Sequence, residues 1–158
     1  MDTKQEQLNV IDMLETSERL IARLYKTFAE HFLDHSKFWN QMAEEEIKHA
    51  SMVRTLEHEL QEGSVHLRRD RFDTTSLKMF HDHVRVLLSQ TREHPIPLEK
   101  AFEAALAVEH DMIERKFFNV FDSDSPELRI ILQALDSATR EHRKRLLEAM
   151  EKHNKSKP

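Results

Sequence analysis

Apolar residues recur at three- and four-residue spacing in four long stretches of the chain, the period of helices that each bury one face. The first carries Leu14, Ile21, Tyr25, Phe28 and Phe32 and ends near Leu33 to Ser36, where Asp34 and Ser36 suit a turn or cap. The second runs from about Phe38 to Glu62 through Met42, Val53, Leu56 and Leu60, and stops at Gly63, the only glycine. A polar connection, Ser64 to Asp73, leads into a shorter helical pattern from Thr75 to about Thr91, closed by Pro95 and Pro97. The third long pattern holds Leu98, Phe102, Leu106, Ile113, Phe117 and Val120. Asp122 to Pro126 reads as a turn, with Ser125 as cap and Pro126 in the first turn of the fourth helix. That helix carries Leu128, Leu132, Leu135, Leu146 and Met150, and the tail from Lys152 to Pro158 is expected to fray.

These patterns predict an all-α fold in a single domain, residues 1–158, with its bundle core at about 7–150. Two helical hairpins are joined by a long connection that holds a short helix of its own, which suits a four-helix bundle with one long crossover. One glycine and four prolines supply few turns for strands and hairpins. The net charge of −5 and the lack of a basic stripe on any helix argue against a nucleic-acid partner. No apolar run approaches the roughly 20 residues of a membrane span, and no apolar signal core follows the polar amino terminus. The absence of cysteine excludes disulfides, zinc ribbons, rubredoxin-type iron sites and a thiol nucleophile. A cytoplasmic location is the expectation.

The informative positions are polar residues inside the apolar stripes. In the first helix the series Leu14, Glu18, Ile21, Tyr25 puts Glu18 on the core face; in the second, Met42, Glu46, His49, Val53 puts Glu46 and His49 there. In the third, Phe102, Ala105, Glu109, Met112 does the same for Glu109; in the fourth, Leu132, Leu135, Thr139, His142, Leu146 inserts Thr139 and His142. Each interruption falls near the middle of its helix, so antiparallel hairpins should bring the side chains into one layer. Burying three carboxylates and two imidazoles together is costly unless a cation compensates their charge. Oxygen and imidazole donors without sulfur suit iron, manganese or zinc. The spacing Glu46-x-x-His49 aims both side chains at one point, since residues three apart are helix neighbours.

In these features the chain resembles the ferritin-like superfamily and, within it, the rubrerythrin-type di-iron carboxylate domains. The resemblance runs from about Gln7 to Met150. It rests on the two-hairpin layout, Glu18 followed seven residues later by Tyr25, the stretch Met42-Ala-Glu-Glu-Glu-Ile-Lys-His49, and Ala104-Ala-Leu-Ala-Val-Glu109-His-Asp-Met-Ile113. In such proteins each hairpin supplies a Glu from its first helix and a Glu-x-x-His from its second. The resemblance thus implies that Glu46 bridges two irons, that Glu18 and Glu109 are terminal carboxylates, and that His49 and His142 are nitrogen ligands. It also implies oxidase- or peroxidase-type redox chemistry with an external electron donor, and a homodimer. Thr139 stands where the family has a second bridging carboxylate, and the cysteine-rich electron-transfer module of full-length rubrerythrins is absent from this sequence. A mononuclear or asymmetric site is therefore a further expectation.

Other readings stay open on the sequence. One is a non-catalytic helical bundle that lost its metal centre and acts through protein–protein contacts. In that case Thr139 is a plain helix residue and His142 is hydrogen-bonded to Glu109. A hemerythrin-like arrangement would use several of the eleven histidines, but His31, His35, His81 and His83 fall outside the mid-helix layer. Iron storage in a cage depends on outer surfaces that the pattern does not specify. Phe38, Trp39 and Met42 read as core or loop-packing residues, although an exposed aromatic here could serve a dimer interface.

Overall fold

The computed structural model describes residues 3–63, 65–67, 74–115, 121–123 and 125–156. Helix α1 spans Thr3–His31 and α2 Ser36–Gln61, with a one-turn 3-10 helix, Leu33–His35, between them. A three-residue strand, β1 (Val65–Leu67), precedes α3 (Thr74–Glu93) and α4 (Leu98–Arg115). A second short strand, β2 (Phe121–Ser123), precedes α5 (Pro126–Lys155). Among the described residues the structure is helical apart from the two strands and the short connections, as the periodicity predicts.

The chain ends its helices where its sequence allows. After α2 the backbone turns at Gly63, whose φ of 84° is a left-handed conformation that costs a glycine little. Ser125 caps α5 by accepting from the Leu128 amide, and Pro126 occupies the first turn, where its missing N–H is no loss. Asp122 and Ser123, expected in a turn, instead pair antiparallel with His66 and Val65. The segment leaving α2 and the segment entering α5 meet at one end of the bundle, and pairing satisfies backbone groups that a turn would leave to water. The last helix also runs beyond Met150 to Lys155, where His153 Nε2 lies 3.2 Å from Glu99 and the Lys155 and Glu151 charges pair at 3.0 Å.

Side-chain contacts fix the helix directions. Lys26 near the end of α1 donates to Asn40 near the start of α2, and Lys4 near the start of α1 donates to the Gln61 carbonyl at the end of α2. The two helices are therefore antiparallel. Phe38 at the start of α2 meets Phe102 at the start of α4, while His153 at the end of α5 meets both Phe102 and His35. So α2 and α4 run the same way, and α1 and α5 run opposite to them. Parallel α2 and α4 require the chain to return between them, and α3, packed along α1, lies in that crossover.

The core is continuous along the four long helices. At the end where α2 and α4 begin it is aromatic: Trp39, fully buried, packs on Tyr25, Phe28, Phe38 and Phe102 with ring centroids 4.9–5.6 Å away. Trp39 is thus a core residue and is not available to an interface. Among the described residues no helix is long and apolar enough to cross a membrane.

Candidate metal centre

The polar interruptions of all four stripes are buried. Glu18, Glu46, Glu109, Thr139 and His142 are each at most 3% exposed, and His49 is 7% exposed. They come from four different helices, and the packing of α1, α2, α4 and α5 brings them to one level. His142 Nδ1 lies 2.7 Å from Glu46 Oε1 and 3.3 Å from Glu109 Oε1. His49 Nδ1 lies 3.5 Å from Glu46 Oε2 and 3.9 Å from Glu18 Oε2. The two imidazole rings are 5.2 Å apart. Glu46 therefore stands between two half-sites, one made with Glu18 and His49 and the other with Glu109 and His142. Among the described residues, Glu46, His49 and His142 form the one group whose donor atoms all lie within 4.8 Å of one another.

With every carboxyl ionised, several of these oxygens have no hydrogen-bond partner: both of Glu18, Oε2 of Glu46 and Oε2 of Glu109. Buried carboxylate oxygens in folded proteins are nearly always satisfied, because an unpaired one forfeits its hydration with no return. A cation placed among them would supply the missing partner, so this donor set fits a metal. Glu109 Oε1 is already oriented, as it accepts a 2.6 Å hydrogen bond from the Tyr25 hydroxyl.

Without a cation, protons take over part of the compensation. Burial pushes the Glu18 carboxyl well above its ordinary range, helped by the charge and close approach of Glu46 and by the charge of Glu109. Burial and the Glu46 charge raise Glu109 to about 7, against the opposing pull of His142 and Tyr25. Burial alone would raise Glu46 too, but the adjacent Glu18 carboxyl, His142 and His49 outweigh it and hold Glu46 well below the usual carboxylate range. Burial works against the charge on His142, yet its hydrogen bonds to Glu109 and Glu46 carry it up to about 10. Burial, then the Glu109 charge, raises Tyr25 well above its ordinary value, so its hydroxyl keeps its proton and remains a donor. At neutral pH the layer therefore holds an ionised Glu46 against an imidazolium at His142.

Thr139 is buried beside His142 on α5, where its hydroxyl donates to the Leu135 carbonyl at 3.0 Å. Its hydroxyl proton is used within its own helix, and the neutral oxygen that remains brings neither the charge nor the second donor atom of a bridging carboxylate. The other histidines are elsewhere. His81 lies beside Asp82 on α3, His83 is exposed, His35 packs on Phe102 and His153, and His31 packs on Phe32.

Two participants escape the stripe pattern. Glu45 Oε2 lies 3.2 Å from His142 Nε2, the nitrogen turned away from Glu46 and Glu109, and it accepts a 2.7 Å hydrogen bond from Arg145. Both residues are half-buried, so neither interrupts an apolar series. Arg145, three positions after His142 and thus on the same side of α5, was the available hint.

Comparison of the chain with known protein families, with curated proteins and with solved structures finds no match. The functional reading rests on the site itself.

Proposed function

We propose that this is a ferritin-like metal-binding protein whose central layer takes iron, with manganese or zinc suited to the same donors, and that it carries out oxidase- or peroxidase-type redox chemistry there. The observation that carries the reading is the set of unpaired, fully buried carboxylate oxygens on Glu18, Glu46 and Glu109 facing the two imidazoles. The up-down-down-up course of the four long helices, with one crossover, agrees with the ferritin-like resemblance.

The residues divide the work between two half-sites. Glu46 offers one oxygen to each, and Glu18 with His49, and Glu109 with His142, would complete three protein donors apiece. Bound iron would supply one-electron chemistry with dioxygen or peroxide. With three protein donors per half-site a bound metal would have room for such a small ligand, the more so with Thr139 in place of a carboxylate. Tyr25 holds Glu109 by its hydroxyl and closes the layer on the side of the aromatic core. Burial of the whole layer keeps bulk water from competing for the same positions.

Anaerobic incubation with ferrous iron followed by elemental analysis tests the reading. The expected result is one to two irons per chain, abolished by Glu46→Ala with His49→Ala, and a change in absorption when the loaded protein meets dioxygen or peroxide. Protein that retains no iron would overturn it.

A second reading has one observation in its favour. His142 already bridges Glu46 and Glu109, and Tyr25 already serves Glu109, so half of the layer forms a hydrogen-bonded network without a metal. In that reading the chain is a non-catalytic bundle acting through protein contacts. There the raised Glu18 carboxyl keeps its proton and shares it with Glu46, so the two readings differ in whether a proton or a cation sits between those carboxyls.

A further inference from the structure

Glu45 and Arg145 stand just outside the central layer, and neither is needed to fill the core. Arg145, on α5, donates to Glu45 Oε2 at 2.7 Å across the α2–α5 interface. The same oxygen lies 3.2 Å from His142 Nε2. His142 itself is 2% exposed, whereas the side chains of Glu45 and Arg145 are 31% and 21% exposed. The imidazole is therefore held at both ends: Nδ1 faces Glu46 and Glu109, and Nε2 faces a carboxylate fixed by an arginine. Among the described residues no outer carboxylate is recorded against His49, whose ring meets Glu18, Glu46 and the His142 ring.

We infer that Glu45, anchored by Arg145, is a positioning residue that locks the His142 ring with Nε2–H outward, so that Nδ1 is the nitrogen presented to a metal at the Glu46–Glu109 half-site. The inference rests on the metal-binding reading above. Its physical basis is that an imidazole on a helix can rotate about two side-chain bonds. A ring pinned by an outer carboxylate meets its metal without first giving up that freedom, and the outer hydrogen bond makes the inner nitrogen a better donor. The carboxylate must itself be held, since a free glutamate on a half-exposed helix face has several rotamers. The 2.7 Å bond from Arg145 supplies that restraint.

Zinc, which has no redox chemistry of its own, is the probe, with affinity read by competition against a chelator. Glu45→Ala should weaken zinc binding about 10- to 100-fold. Glu45→Gln, whose amide oxygen can still accept from Nε2–H, should keep most of the affinity. Arg145→Met should fall between them. The melting temperature of metal-free Glu45→Gln should stay close to wild type, and that of Glu45→Ala should fall modestly, since the buried Nε2–H then loses its acceptor. Nitrogen-15 spectra of zinc-loaded wild type should show His142 bound through Nδ1 with its proton on Nε2. Affinity within twofold of wild type in Glu45→Ala, or zinc on Nε2, would overturn the inference. Wild-type protein that binds no zinc would instead overturn the metal-binding reading. The positioning role would then be decided on metal-free protein, where a slowly exchanging Nε2 proton on His142, lost in Glu45→Ala, supports it and equally fast exchange in both contradicts it.

Discussion

Two layers of the same bundle are buried to the same degree and built on opposite principles. At the end where α2 and α4 begin, Trp39, Tyr25, Phe28 and Phe102 interlock ring against ring, and burial itself is the stabilising event. One step along the helices, Glu18, Glu46, His49, Glu109 and His142 are just as inaccessible, but they are charged or proton-holding groups whose burial costs free energy. Tyr25 belongs to both layers, with its ring on Trp39 and its hydroxyl on Glu109. The contrast teaches that burial alone does not tell a structural residue from a functional one. Several unpaired carboxylate oxygens gathered beside two imidazoles do, whereas a single unpaired atom such as Trp39 Nε1 also occurs in the aromatic layer.

The comparison can be sharpened most strongly by cutting into the aromatic layer. Trp39→Ala should destabilise the protein by about 3–5 kcal/mol, the usual cost of emptying a large aromatic site. The loss in urea unfolding should be the same with and without added metal; a loss seen only in loaded protein would mean that the aromatic end serves the centre rather than the fold.

The polar layer should behave in the opposite way. Glu18→Leu replaces a carboxylate with two unpaired oxygens by an apolar group of similar size, so metal-free protein should be as stable as wild type or more stable. With metal at a hundredfold excess over its dissociation constant, wild type gains about 2.7 kcal/mol from binding. The variant should lose that gain in part or whole. Equal stability of variant and wild type under both conditions would remove Glu18 from the site.

Proton occupancy of the polar layer gives a third contrast. His142 is raised from 6.5 to about 10 and Glu109 from 4.5 to about 7 in the folded, metal-free protein. A group whose folded value lies above its unfolded value stabilises below the unfolded value and loses that contribution as pH climbs through the folded one. The melting temperature of metal-free protein should therefore fall between about pH 4.5 and 7 through Glu109, and further between about pH 6.5 and 10 through His142. Metal must displace those same protons, so its affinity should rise over the same range and binding should acidify the solution. A flat profile in both measurements would contradict the protonation described for the layer.

The smallest expected change is at Thr139. Thr139→Glu restores a second carboxylate between the half-sites and should move metal stoichiometry toward two with little effect on the fold. An unchanged count would sink the account in which Thr139 leaves the second metal under-ligated.

Much of this was legible in the sequence. Helical period located the four long helices, and the single glycine and the Ser125–Pro126 step marked two of their ends. The same stripes, read for their interruptions, placed Glu18, Glu46, His49, Glu109, Thr139 and His142 in the core, since a strict three-and-four spacing leaves one face to bury. The pairing of residues 65–67 with 121–123 was not legible, because it depends on which chain ends the bundle brings together rather than on local preference. Glu45 and Arg145 were missed for a related reason. They sit beside the stripe, and only the α2–α5 packing shows that a surface-like pair reaches His142. The unpaired state of Glu18 likewise emerges only when every neighbour is in place.

Anomalous diffraction from crystals grown with zinc or ferrous iron tests the central claim most directly. The account predicts metal density inside the bundle within about 2.0–2.2 Å of Glu46 and of a histidine nitrogen, with Glu18 or Glu109 turned toward it. Metal found only at exposed side chains, with Glu46 still joined to His142 as in the metal-free layer, would contradict it.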